Sequence, residues 1–262
     1  MSYLNKSDII NGLRKLGLSD GDHVMVHSSL KSFGYVEGGA NTVIDAVLET
    51  IGSDGTMLLP TNVFQGSVTV FLRDKIRDNK GIDLRVEKSM TGIITETLRN
   101  RANSLRSIHP SHPVAAIGKK AEELLSEHHI GDSPAGKKSP YGKLAELDKG
   151  KILLLGVTNS RNTSIHTAEE YYSSYIFIGE TFDTKVIALD GKTHHVNVKG
   201  YCVNTPRDFT ALDDELINKS IMSRGLIGNS IAALINSKDL LSFMREEIGK
   251  NPLILLSHKN NT

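Results

Sequence analysis

A single cysteine, Cys202, stands in the 262 residues. The chain therefore has neither a disulfide framework nor a cysteine metal site. No apolar run approaches the ~20 residues that a membrane span needs. The opening stretch MSYLNKSDIINGLRKLG alternates polar and apolar residues at helical spacing and lacks a signal-peptide core. Neither sign of charge is in excess. The net charge of +1 gives no footing for a nucleic-acid or membrane-surface partner. Together these absences predict a soluble, cytoplasmic protein. Pro/Gly/Ser-rich linkers, internal repeats and low-complexity segments are missing too, so residues 1–262 read as one domain.

What is present is ordinary globular material, 39% hydrophobic and 23% charged. Five short apolar runs read as strands: HVMVHS from His23, TMLLPT from Thr56, HPVAAIG from His112, KILLLGV from Lys151 and PLILLS from Pro252. Runs apolar at nearly every position suit strands covered on both faces. Between them SDIINGLRKLG (behind Ser7), NTVIDAVLETIG, GIITETLRNR, KKAEELLSEHH and HTAEEYY read as helices. TKVIALDGKTHHVNV reads as a hairpin turning at Asp190-Gly191, and DDELINKSIM and SKDLLSFMREEIG as two further helices. The expected fold is α/β on a mixed sheet with a β-hairpin insertion. Residues 62–89 show no clear alternation and carry six basic and four acidic side chains. A connection of that length predicts a binding loop or lid.

Three stretches are candidates for chemistry. HSSLKSFGYVEGGANTVIDAVLE is a strand end, a Ser/Gly-rich loop and a helix. Its glycines at 34, 38 and 39 let backbone approach a ligand, and the helix start behind them favours anions. It is neither G-x-G-x-x-G nor a P-loop, so no dinucleotide or triphosphate specificity follows. A plain turn and helix cap would use the same residues. LRSIHPSHPVAAIG places Arg106 and Ser107 before His109 and His112. An arginine suits phosphate, and His-x-x-His invites a metal. The prolines break the helix that would align the two rings, so a rigid lead-in to a strand is preferred and no metal is expected. SRNTSIHTAEEYY follows the buried run KILLLGV, with Thr163 or Ser164 able to cap a helix. His166 and Glu169, three residues apart, share one face of it. A carboxylate holding one imidazole nitrogen leaves the other free as a base. His128 and His129 end a helix, where they suit its dipole. His194, His195, His258 and Cys202 carry no assignment.

In order along almost the whole chain, these motifs resemble the aminoglycoside 3-N-acetyltransferase (antibiotic N-acetyltransferase) family. The resemblance rests on HSSLKSFGYVEGGANTVIDAVLETIGSDGTMLLPT, GIITETLRN, RSIHPSHPVAAIG, SPYGKLAELDKGKILLLGV, TSIHTAEEY and GNSIAALINSKDLLSF. It implies a three-layer α/β/α sandwich and direct acetylation, by acetyl-CoA and without a metal, of a primary amine of an aminoglycoside or other amino-sugar-type substrate. It implies a CoA site lined by His27, Ser28, Ser29, Leu30, Lys31, Ser32, Phe33, Gly34, Val36, Arg106 and Ser107. His166 matches the family's catalytic histidine and Glu169 the acid three residues on. Pro113 stands where the family usually has serine.

On this reading His166 takes the amine's proton, Glu169 supports the imidazolium, and a hydroxyl such as Thr163 or backbone amides stabilise the oxyanion. Alternatives are an amino sugar carried on a nucleotide as the acceptor, and a CoA-binding module without chemistry. A metal-dependent hydrolase would need three converging ligands that no spacing supplies. Asp213, Asp214 and Glu215 are candidates for an acidic wall, while residues 62–89 carry the wrong sign for a polycation. A monomer or homodimer is expected.

Overall fold

The computed structural model describes residues 3–173, 176–201 and 206–257. Cys202 and His258 lie outside them. In chain order the elements are α1 (Lys6–Leu16), β1 (His23–Ser28), α2 (Gly39–Ile51), β2 (Thr56–Pro60), α3 (Val68–Arg77), β3 (Ile82–Asp83) and α4 (Ile93–Arg99). There follow β4 (Leu105–Arg106), β5 (Val114–Gly118), α5 (Ala121–Leu125), α6 (Pro140–Ala145), β6 (Gly150–Leu155) and α7 (Ile165–Tyr172). The last are β7 (Phe177–Ile187), β8 (Thr193–Tyr201), α8 (Asp213–Asn218), β9 (Met222–Ile227), β10 (Ser230–Asn236) and α9 (Ser237–Lys250).

Seven strands form one sheet in the order β4-β5-β2-β1-β6-β10-β9. Its centre, β2, β1 and β6, is parallel, and both flanks are antiparallel. Strand side chains alternate between faces, and here both faces are covered. Val24, Val26, Met57, Leu59, Leu153 and Leu155 pack under α1, α2 and α4. On the other face Met25 and Leu58 meet α5 and α6, while Ile152 and Leu154 meet α7 and α9. That is the three-layer α/β/α arrangement, and it explains why the central strands are apolar at nearly every position.

A smaller sheet, β3-β7-β8, holds the expected hairpin. The Asp190-Gly191 turn is closed by Ala188 N–H and O=C contacts to Lys192 and Gly191. The large sheet is thus mixed because of β4, β5, β9 and β10, not because of this hairpin. The β9–β10 hairpin, turning at Gly228-Asn229, was not expected from the sequence. PLILLS forms turns with an isolated bridge from Leu256 to Arg207 rather than a strand. Pro252 lacks a backbone N–H for a ladder, and of this run only Leu255 is fully buried. Helix α1 starts one residue before Ser7: Asn5 caps it, exchanging hydrogen bonds with Asp8. Residues 62–89 are not a long irregular lid. They contain α3, capped by Ser67, whose Val68 and Leu72 pack against the small sheet.

Candidate active site

In open α/β sheets the carboxyl ends of the parallel strands are where loops diverge and ligands bind. A cleft of about 620 Å³ opens here beyond β1, β2 and β6. It is lined by Val26–Lys31 from the end of β1, Pro60 at the end of β2 and Asn62 beyond it, residues 90–95 at the start of α4, Val157, residues 160–163, His166 and Phe209. A second cavity of about 250 Å³ adjoins it, lined by Phe64, Gly66, Val68, His112, Pro134, Ala135, Tyr201 and Arg207. Thr163 and His166 line both. The histidine therefore sits where the two spaces meet.

Helix α7 puts His166 and Glu169 on one face, as their spacing requires. His166 Nδ1 lies 2.5 Å from Glu169 Oε2, and Arg207 Nε donates to Glu169 Oε1 at 2.7 Å. Glu169 is completely buried, whereas the His166 side chain is 27% exposed. Burial pushes the Glu169 carboxyl up, but the hydrogen bonds and charges of His166 and Arg207 outweigh it and hold it below the usual range. An ionised Glu169 fixes the proton on Nδ1 and leaves Nε2 as the basic nitrogen. The imidazole is wedged edge-on between Tyr201 and Phe209, with ring centroids 5.8 and 5.1 Å away. The start of α7 is not capped by the Thr163 or Ser164 side chain. Asn162 does that work: its Oδ1 accepts from Ser164 N–H at 3.1 Å and its carbonyl from Ile165 N–H at 3.2 Å.

Of the residues that the resemblance assigns to CoA, His27, Ser28, Ser29, Leu30 and Lys31 line the larger cleft; Ser32, Phe33, Gly34 and Val36 do not. Phe33 and Val36 are core. Ser32 braces the loop from beneath, donating to the Ser29 carbonyl at 2.7 Å and meeting Ser230 Oγ at 2.8 Å. Gly156 (φ 68°) makes room for it, since a Cβ there would lie 1.6 Å from Ser32 Oγ. His27 is buried at the cleft floor, and burial holds its imidazole down to about 3.

Arg106 and Ser107 line neither cavity. The Arg106 guanidinium is buried and committed to the chain: Nε to Thr61 Oγ1 (3.0 Å), Nη2 to Thr61 O (3.0 Å), Nη1 to Leu84 O (2.9 Å) and Glu87 O (2.8 Å). Burial lowers it to about 10. The expectation that it meets a ligand's phosphates does not fit this placement. Ser107 accepts from Val114 N–H at 2.8 Å and donates to His128 Nδ1 at 2.8 Å, while His128 Nε2 donates to the Pro134 carbonyl at 3.0 Å. His128 is thus a buried tie, and a helix dipole is not what places it. His109 Nδ1 accepts from the backbone of Ser111 and His112, and its ring stacks on His128 at 4.4 Å. Among the described residues no group of three His, Cys, Asp or Glu is placed to hold a metal ion.

Asp213 is no acidic wall. It is buried, accepting from Asn159 and Arg224 at 2.7 Å each. The charges of residues 62–89 other than Lys88 pair with one another or with Glu180. Phe64 lies in the 62–89 segment expected to bind, and His112 in the stretch read as a lead-in to a strand; the start of α4, Phe209, Tyr201 and Arg207 had no counterpart among the expected site residues. Gly92, at φ 116° ahead of α4, was the one local signal. The others converge only through tertiary packing.

A family model for aminoglycoside 3-N-acetyltransferases matches residues 25–248. The chain is 30% identical over 253 residues to aminoglycoside N(3)-acetyltransferase IV of Salmonella sp, covering 96% of this chain and 90% of that one. The crystal structure of aminoglycoside acetyltransferase AAC(3)-Xa superposes with a TM-score of 0.83 at 27% identity, covering 95% of this chain and 94% of the other. A mutant of AAC(3)-IVa in complex with a gentamicin superposes at 0.81 with 27% identity, over 98% and 93% of the two chains. The class defined by this fold and these relatives is that of the N-acetyltransferases. Within it, the chain belongs to the aminoglycoside 3-N-acetyltransferase family. No helix among the described residues is long and apolar enough to cross a membrane.

Proposed function

We propose that the protein transfers the acetyl group of acetyl-CoA directly to a primary amine of an aminoglycoside or other amino-sugar-type acceptor, with His166 as general base. The observation that carries this is the His166–Glu169–Arg207 chain at the junction of two cavities. The donor's thioester enters by the larger cleft, along residues 27–31, and the amine approaches from the smaller one. Nε2 of His166 takes one proton from the ammonium, which frees the nitrogen lone pair to attack the carbonyl carbon. The C–N bond forms, the C–S bond breaks, and the thiolate of CoA leaves, taking up the second proton that the new amide nitrogen sheds. Glu169, held by Arg207, supports the imidazolium. Thr163, shared by both cavities, offers a hydroxyl near the developing oxyanion. Support for the donor and acceptor comes from the family, and for the base from the geometry.

General-base catalysis contributes about 10²–10⁴-fold in rate. His166→Ala is accordingly expected to lower turnover by that range, with acetyl-CoA affinity by calorimetry changed less than about twofold. Glu169→Gln keeps shape but loses the charge beside the imidazolium and should lose less, about 10–10²-fold. Near-normal turnover of His166→Ala across the pH range would remove the base from this scheme.

A further inference from the structure

Resting on the acetyl-transfer reading, we propose that Glu170 is a positioning residue for the acceptor: it pins a peptide in the wall of the acceptor cavity to the helix that carries the base. That peptide is the one between Pro134 and Ala135, and both of these residues line the cavity from which the amine approaches. They lie in an irregular stretch, residues 131–139, that belongs to no helix or strand. A stretch without a ladder has to find partners for its buried backbone groups elsewhere.

Here both polar ends of one peptide are gripped by side chains. The Pro134 carbonyl accepts from His128 Nε2 at 3.0 Å. Glu170 Oε1 accepts from Ala135 N–H at 2.9 Å, and Ser133 Oγ hydrogen-bonds to Oε2. The C=O and N–H of a trans peptide point in opposite directions. Two such grips therefore fix the plane of the peptide as well as its place. The stretch is pressed close to the carboxyl, since a Cβ at Gly136 would lie 2.5 Å from Ser133 Oγ and 3.1 Å from Glu170 Oε2. Glu170 follows Glu169 directly on α7. One acidic side chain of that helix holds the base, and the next holds the wall.

Burial pushes the Glu170 carboxyl up to about 8, against the hydrogen bonds of Ser133 and Ala135 and with the Asp132 and Glu169 charges. At neutral pH it is therefore an uncharged acid that needs no cation beside it. One oxygen accepts from Ala135 N–H, and the other carries a proton shared with Ser133 Oγ. Glutamine offers an acceptor and a donor in the same places, whereas alanine offers neither. Without the grip the buried Ala135 amide is left unsatisfied, which weakens the preference for this wall geometry about tenfold. Displacing a bound group by about 1 Å costs up to about 10²-fold in rate.

The test compares Glu170→Ala and Glu170→Gln with wild type, with gentamicin as acceptor and thiol release from acetyl-CoA as the signal. Glu170→Ala is expected to raise the gentamicin KM about tenfold and to leave the acetyl-CoA KM within about twofold. Glu170→Gln should bring the gentamicin KM back to within about twofold of wild type. A general loss of stability would neither separate the two KM values nor be rescued by the amide. Hydrogen exchange reads the grip without any turnover: Ala135 N–H should exchange about tenfold faster in Glu170→Ala and at the wild-type rate in Glu170→Gln. Where Glu170→Ala does not fold, Ser133→Ala removes one of the two contacts and should raise the gentamicin KM about threefold. Wild-type gentamicin KM in the folded variant, an acetyl-CoA KM that rises as much, or Ala135 exchange unchanged by Glu170→Ala each overturns the proposal. A wild type that acetylates no amine sinks the acetyl-transfer reading instead, and the exchange of Ala135 still decides whether Glu170 holds the wall.

Discussion

Segments 106–112 and 164–170 have much the same ingredients: serine, histidine and a strongly charged group within one or two turns. In the first, the arginine faces carbonyls, the serine is spent between a backbone amide and His128, and His109 accepts from the backbone beside it. All three groups are buried, and apart from His109 Nε2 their polar atoms are engaged by their own chain. In the second, a carboxylate is buried and saturated, but the histidine it holds keeps an edge in open space. Two neighbouring polar clusters thus divide between scaffold and site. The division turns on whether the last group in the hydrogen-bond chain ends on protein or on a cavity.

That contrast breaks most easily at Arg106. Arg106→Ala strips a hydroxyl and three carbonyls of their donors and leaves a void between β2 and the 84–87 turn. Buried networks lost in this way cost about 3–5 kcal/mol, read by urea unfolding. In the fraction that stays folded, acetyl-CoA affinity should be unchanged. An unaltered unfolding midpoint with acetyl-CoA binding lost would return Arg106 to the donor site.

Acid sharpens the comparison next. Burial keeps His27, His112 and His128 neutral down to about 3, against 6.5 for an ordinary histidine. Below 6.5 the unfolded chain therefore binds protons that the folded chain refuses. Their contribution to stability is complete above that pH and is lost as pH falls toward 3, at up to about 1.4 kcal/mol per pH unit for each histidine. Carboxylates such as Glu169, with folded values below the ordinary 4.5, add their loss only lower down. Unfolding free energies at pH 7.5, 6.5, 5.5 and 5 should fall progressively below 6.5. Glu170, which burial pushes up to about 8, opposes them by one group over the same window, so a flat profile would mean that most of these rings are solvated in the folded state.

The sequence was most readable where local pattern and tertiary environment agree. The central strands β1, β2 and β6 are apolar because both faces are covered, and β5 shares their composition, so all four are legible. His166 and Glu169 were legible because i, i+3 spacing on a helix is a local fact. The β9–β10 hairpin was hidden because Leu226 and Ile231 are exposed and polar residues alternate irregularly with apolar ones. PLILLS misled for the converse reason: it is apolar without being a ladder. The fates of Arg106 and Ser107 were not readable at all. An arginine that binds phosphate and one that binds carbonyls are the same letter, and the carbonyls of Leu84 and Glu87 come from about twenty residues away. The small cavity is likewise assembled from six separate segments.

The smallest effect is expected at Ser107, where the two assignments give opposite results. Its hydroxyl is both acceptor and donor in one buried line, Val114 N–H to Ser107 Oγ to His128 Nδ1, which ends on the Pro134 carbonyl. Ser107→Ala leaves an amide and an imidazole nitrogen unsatisfied while changing the side-chain volume little. The cost of such a loss is about 1–3 kcal/mol, a fall in Tm of about 3–8 °C for a chain of this size. Pro134 borders the small cavity beside His166, so a slackened line would disturb the acceptor side before the donor side. Acetyl-CoA KM should therefore stay within about twofold of wild type, with any change in kinetics appearing in the acceptor's KM. A manyfold rise in acetyl-CoA KM at unchanged Tm would show that the hydroxyl serves the donor, as the family resemblance implies, and that its hydrogen bond to His128 contributes little to the fold.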